Sequence, residues 1–130
     1  MIHLSDEQIN KTYILISQYY NKYLKKHGLV LPNLFRGTNY TKCALVLVYL
    51  AQGYPKTRIV SKTELTDFIK KYYPDTNDVQ QARHLGAQNG WFILSGTRND
   101  NFSYNIPSGS YKLVSLEKFY TDCTVHKQGA

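Results

Sequence analysis

Carboxylates are scarce in this chain, and so are the residue patterns that build catalytic or metal centres. Nine Asp and Glu stand against sixteen Lys and Arg, a formal charge of +7 at neutral pH. There is no paired-carboxylate motif, no Gly-rich phosphate loop and no Gly-x-Ser-x-Gly elbow. Cysteine occurs only twice, as Cys43 and Cys123, too few and too far apart to suggest a metal site. His3, His27, His84 and His126 are scattered. The expectation is therefore a chain with no catalytic residue, no metal and no cofactor of its own.

Long hydrophobic runs are missing too. No apolar stretch approaches the length of a membrane span, so no membrane partner is expected. The opening residues MIHLSDEQ lack the basic segment and apolar core of a signal peptide. A cytoplasmic location follows as an expectation, and with it reduced thiols. Cys43, inside an apolar run, reads as a small core residue. No repeat or low-complexity segment is visible, and 130 residues with 42% hydrophobic content suit one core.

What the chain does have is positive charge and tyrosine. The excess of cations favours a polyanionic partner, nucleic acid first. It is spread along the chain, so a basic tail is not the mode. Twelve tyrosines suit amphipathic positions at the edge of a core.

The most informative stretch is 61–91, SKTELTDFIKKYYPDTNDVQQARHLGAQNGW. Ser61 and Glu64 form a capping-box pattern. Leu65, Phe68, Ile69 and Tyr72 recur at helical spacing, and the helix ends before Pro74. Asp75 or Thr76 caps a second helix, and Gly90 terminates it. In that helix Val79, Ala82, Gly86 and Asn89 share one side, with Leu85 flanking. Nearly opposite lie Asn77, Gln80, Gln81, His84 and Gln88, with Arg83 on the border. Amide side chains can bond an adenine edge twice, and arginine can do so with guanine. A turn followed by a short amide-rich helix suits entry into a DNA groove.

The rest frames this unit. Ser5 and Gln8 open a first helix, whose face runs through Ile9, Tyr13, Ile16, Tyr20, Tyr23 and Leu24 to a stop at Gly28. Residues 29–40 read as a connection, in which Arg36 beside Gly37 is a lone cation. Thr41 caps a helix buried on all sides that ends near Gly53, a buried strand being the alternative. Arg58 to Val60 suits a short strand. Trp91 to Gly96 and Ser110 to Val114 read as two strands flanking a polar loop, a wing. Ser115 to Tyr120 suggests a short closing helix.

This order resembles winged-helix DNA-binding domains from about Thr41 to Val114. More narrowly, Arg83-His84-Leu85, Asn89-Gly90-Trp91, Gly96 and Tyr111-Lys112-Leu113 look like the winged helices attached to bacterial restriction endonucleases. They are similar also to the C-terminal winged helix of the endonuclease that cuts adenine-methylated GATC. The implied fold is α+β: a winged helix-turn-helix with an extra N-terminal helix. Residues 1–40 would form that helix and its connection, 41–121 the winged helix, and 122–130 a tail or linker.

The resemblance implies a target-recognition module for double-stranded DNA, joined to a nuclease domain in the same polypeptide. Asn77, Gln80, Gln81, His84 and Gln88 would read bases. Lys62, Lys70, Lys71, Arg83, Arg98 and Lys112 would hold phosphates. Reading of N6-methyladenine is also implied, with Trp91, Tyr72 or Tyr73 beside the methyl group. Trp91 has an alternative role, anchoring the wing to the core. The nuclease itself is not in this chain: Pro74-Asp75 is followed by no D/E-x-K triplet at useful spacing. A transcriptional regulator and a protein-interaction winged helix are the competing readings.

Overall fold

The computed structural model describes residues 3–77, 79, 81–83, 85–86, 89–96 and 105–119, with the backbone alone at Arg83. Helix α1 spans Asp6–Tyr19 and opens with a complete capping box. Ser5 Oγ accepts from Gln8 N at 3.2 Å, and Gln8 Oε1 accepts from Ser5 N at 2.9 Å. The chain then continues through a π-helical turn, Tyr20–Leu24, and a 3-10 turn, Lys25–His27. Gly28 ends it in the left-handed region that favours glycine, at φ 85°. The wider π turn brings Leu24 onto the buried face already holding Ile9 and Ile16.

The connection after Gly28 is more ordered than its sequence suggests. Strands β1, Phe35–Arg36, and β2, Asn39–Tyr40, pair antiparallel as a short hairpin. Helix α2, Lys42–Leu50, is the buried central helix, and every residue from Ala44 to Leu50 is buried. Thr41 caps it by accepting from Ala44 N at 3.2 Å. The hydrophobic, nearly all-round run thus forms a helix at the centre of the core rather than a strand.

Strand β3, Val60–Ser61, leads directly into helix α3, Lys62–Lys70. Ser61 Oγ accepts from Glu64 N at 3.1 Å, but the reciprocal half of the capping box is replaced. The Glu64 carboxylate instead meets Arg58 Nη2 at 2.6 Å and accepts from Tyr49 OH at 2.5 Å. The Arg58 bond, aided by Tyr49, holds the Glu64 carboxyl below its ordinary value of 4.5, against a smaller opposing effect of burial. A carboxyl with a lowered folded-state value stabilises the fold above its ordinary value, and this stability is lost as pH falls through the lowered one. Glu64→Gln should therefore be less stable than the parent at neutral pH, with the gap closing as pH falls below 4.5 and through the lowered value of Glu64. Thermal melts of both proteins across that range check it.

After the turn at Pro74, Gln81–Arg83 forms the short helix α4, and Leu85 and Gly86 lie in a π-type turn. Gly90 N donates to Gly86 O at 2.9 Å as this segment closes. Val79, Ala82 and Leu85 are buried. Leu85 therefore belongs to the core rather than flanking it, whereas Asn89 is exposed rather than on the packed side.

Strand β4, Trp91–Ser95, and strand β5, Ser110–Phe119, complete a three-stranded antiparallel sheet in the order β3-β5-β4. The ladder pairs Ile93 with Leu113, Leu94 with Lys112 and Ser95 with Tyr111. It then passes an irregularity and pairs Trp91 with Phe119. The expected closing helix at 115–120 is thus a strand as far as Phe119. Pairing with β4 and burial of Leu116 override local preference there.

All of β4 is buried, because both its faces are covered. Trp91 and Ile93 enter the main core, while Phe92 and Leu94 form a second cluster with Ile106 and Val114. The main core also takes Leu4, Ile9, Ile16, Leu24 and Leu29, so the N-terminal segment is built into it. Among the described residues, no helix is long and apolar enough to cross a membrane.

Candidate nucleic-acid interface

The region between α3 and β4 is where the sequence places its base-reading face. The turn is fixed by backbone bonds from Tyr73 N to Ile69 O at 2.9 Å and from Thr76 N to Tyr73 O at 3.0 Å. Thr76 is buried, and its Oγ1 has no partner among the described residues, so it makes no helix cap there. Asp75 and Asn77 are exposed.

The five candidate base readers divide by what can be located. Asn77 is exposed at the start of the segment. Gln81 is half-buried and lines a cleft together with Arg36, Thr41, Lys42, Cys43 and Tyr73. Gln80, His84 and Gln88 lie outside the described residues. Gln81 thus faces toward the start of α2, not simply outward with Asn77.

The candidate phosphate contacts also separate. Lys70 and Lys71 are exposed at the end of α3, where Lys71 Nζ lies 3.3 Å from His3 Nδ1. Lys62, in the first turn of α3, is half-buried. Lys112 is already engaged: its Nζ donates to Thr57 O at 2.6 Å and to Thr57 Oγ1 at 3.1 Å. Burial pushes its ammonium below the ordinary lysine value. That geometry makes Lys112 a latch between β5 and the lead into β3. Arg98 and the Arg83 side chain lie outside the described residues.

The three candidate methyl contacts are aromatic side chains with different surroundings. Trp91 is fully buried, stacks on Tyr20 with centroids 6.0 Å apart, and donates from Nε1 to Val30 O at 3.2 Å. In this arrangement it anchors the β-sheet to the N-terminal segment and presents no face to a base. Tyr72 is half-buried between Phe68 and Tyr40, edge-on to both rings. Burial, helped by nearby Asp6, raises its phenol. Tyr73 is half-buried, with its OH donating to Tyr40 O and the Lys42 ammonium 5.1 Å from its ring centroid.

The hairpin β1–β2 contributes features that the sequence did not single out as a site. Phe35 stacks on Tyr40 at 4.8 Å, and Tyr40 in turn meets Tyr72. The Tyr40 phenol donates to Asp6 Oδ1 at 2.8 Å. Burial, and then Asp6, push it up to about 12. These contacts seat the hairpin against the end of α3 and bring Arg36 beside the turn. The only available signals were Arg36 next to Gly37 and a lysine just after the cap Thr41. Neither reveals that the two would meet Tyr73 and Gln81.

Comparison with family models, curated proteins and solved structures finds no match to this chain.

Proposed function

We propose that this chain is a winged helix-turn-helix module that binds double-stranded DNA. The observation that carries the reading is the topology around α3. Helix α2, strand β3, helix α3, a tight turn and a second helical segment are followed by β4 and β5, and β5 inserts between β3 and β4. This order supports the reading of a helix-turn-helix beside a two-stranded antiparallel ribbon. The net charge of +7 supports a polyanionic partner. Asn77 and the cations Lys70 and Lys71 supply exposed polar groups of the kind that contact base edges and phosphates.

The finer reading is a target-recognition domain of a restriction endonuclease. It rests on the wing and helix motifs that resemble those enzymes. In its sharpest form the module reads N6-methyladenine. Trp91 is occupied in the core, so Tyr72 and Tyr73 remain as the aromatic groups near the turn.

The test is a selection from random duplexes, run in parallel with methylated and unmethylated DNA. Enrichment of one short motif is the expected result. Enrichment only when methylated supports the modification reader, and enrichment regardless of methylation leaves a plain sequence-specific binder. Absence of any motif, with weak binding indifferent to sequence, would sink the reading and favour a protein-interaction module.

A further inference from the structure

The cleft at Gln81 has a volume of about 330 Å³ and is built from four separate parts of the chain. Arg36 comes from the hairpin, and Thr41, Lys42 and Cys43 come from the start of α2. Tyr73 comes from the turn, and Gln81 from α4. Among the described residues, its lining includes two cations and no carboxylate. Among the described residues, neither Arg36 nor Lys42 joins an ion pair; the one recorded is Arg58 with Glu64. Lys42 is held against the Tyr73 ring, and Arg36 is exposed at the mouth.

Two cations thus converge on one concave surface with no described carboxylate between them. A folded chain gains nothing from that arrangement by itself, because like charges repel. A phosphodiester relieves it. The Arg36 guanidinium can present paired N–H groups to phosphate oxygens, and Lys42 adds a point charge. The Gln81 amide supplies a neutral donor at the same wall. Because Gln81 sits on the segment proposed to approach the groove, an anion seated here would lie on the strand flanking that groove.

We infer that this cleft holds the sugar–phosphate backbone of duplex DNA, making the β1–β2 hairpin and the start of α2 a second arm of the interface. The inference rests on the DNA-binding reading above. The cleft contributes affinity and register but no sequence preference, as phosphate contacts do.

The experiment compares the parent with Arg36→Gln/Lys42→Gln and with Lys25→Gln/Lys26→Gln. The second pair removes the same charge from exposed positions outside the cleft. Equal thermal midpoints establish that all three fold. Duplex affinity is then titrated against salt for each. Losing one neutralised phosphate should lower the log–log slope by about 0.9, or roughly eightfold in affinity at 0.1 M salt. The cleft pair should show this loss with an unchanged preferred sequence, and the control pair should not.

A second readout uses Cys43, whose half-buried thiol lines the same cleft. In a Cys123→Ser background, bound duplex should slow its alkylation. Four results would overturn the inference. Steep binding by the parent that is unaltered in the cleft pair removes the cleft while leaving the DNA reading intact. Equal losses in both pairs reduce the effect to overall charge. Shielding of Cys43 by inorganic phosphate but not by duplex makes the cleft a small-anion site. If the parent binds no duplex at all, the inference falls together with the DNA-binding reading.

Discussion

Trp91→Ala should remove about 3–5 kcal/mol of stability, the usual loss on truncating a large buried aromatic side chain. Trp91 is among the largest fully buried side chains described, and it sits where three parts of the chain meet. Its ring stacks on Tyr20 in the first helical segment, and its N–H reaches Val30 O in the following connection. Its own strand pairs with Phe119 at the far end of β5. Removing the ring opens a cavity between elements that cannot all collapse together. A domain of this size has roughly 5–15 kcal/mol in total, so the variant should be marginal. At about 4 °C per kcal/mol, the midpoint should fall by roughly 12–20 °C in a thermal melt.

Trp91→Phe separates the two contributions of that side chain. It keeps most of the apolar contact and loses the N–H to Val30 O, a bond contributing about 1 kcal/mol. Val30 is exposed, so water can take the freed carbonyl. The phenylalanine variant should therefore melt much closer to the parent than the alanine variant. A parent-like melt for Trp91→Ala would mean that the tryptophan does not anchor the sheet, and would reopen its role as a base contact.

Local signals in the sequence carried well where the determining interaction is itself local. Ser5, Thr41 and Ser61 each cap the helix that their spacing announces, because a cap needs only the next three residues. The run after Thr41 reads as a buried central helix from its length and all-round hydrophobicity. The misses have tertiary causes. Glu64 carries the capping-box identity, yet its carboxylate is drawn to Arg58 and Tyr49. Ser115 does bond in the manner of a helix start, accepting from Glu117 N at 2.9 Å and Lys118 N at 3.3 Å. The chain nevertheless continues as β5, since Leu116 is buried and Phe119 pairs with Trp91.

The candidate site follows the same division. Asn77 is exposed, but it lies in a bend ahead of α4 rather than on the helical face that the periodicity assigns it. Lys112 looked like a free cation on a wing strand, but Thr57 lies 55 residues away and takes its ammonium. The cleft was not legible at all, since Arg36 and Lys42 meet Tyr73 and Gln81 only after the hairpin docks on α3. What periodicity cannot supply is the partner across the fold, and charge-bearing side chains depend on such partners more than apolar ones do.

Salt dependence is where the DNA-binding reading makes its largest numerical commitment. Lys62, Lys70, Lys71, Arg83, Arg98, Arg36 and Lys42 are the cations assigned to the backbone once Lys112 is set aside. With Arg36 and Lys42 sharing one phosphate and the other five cations neutralising one each, the log–log slope of affinity against salt should be about −5.4. Raising salt fourfold, from about 50 to 200 mM, should then weaken binding by roughly 10³-fold. Fluorescence anisotropy with a labelled duplex measures this over a series of salt concentrations. Base contacts behave differently, because they displace no counterions. Asn77→Ala should leave the slope unchanged while narrowing the difference between the best site and random DNA by about 1–3 kcal/mol. Lys71→Gln should do the reverse, lowering the slope by about 0.9 and weakening all sequences alike. The two variants thus pull apart the parts of the interface that a single affinity would merge. A shallow slope in the parent, near one or two phosphates, would mean that the +7 charge is not directed at DNA and that another partner takes this surface.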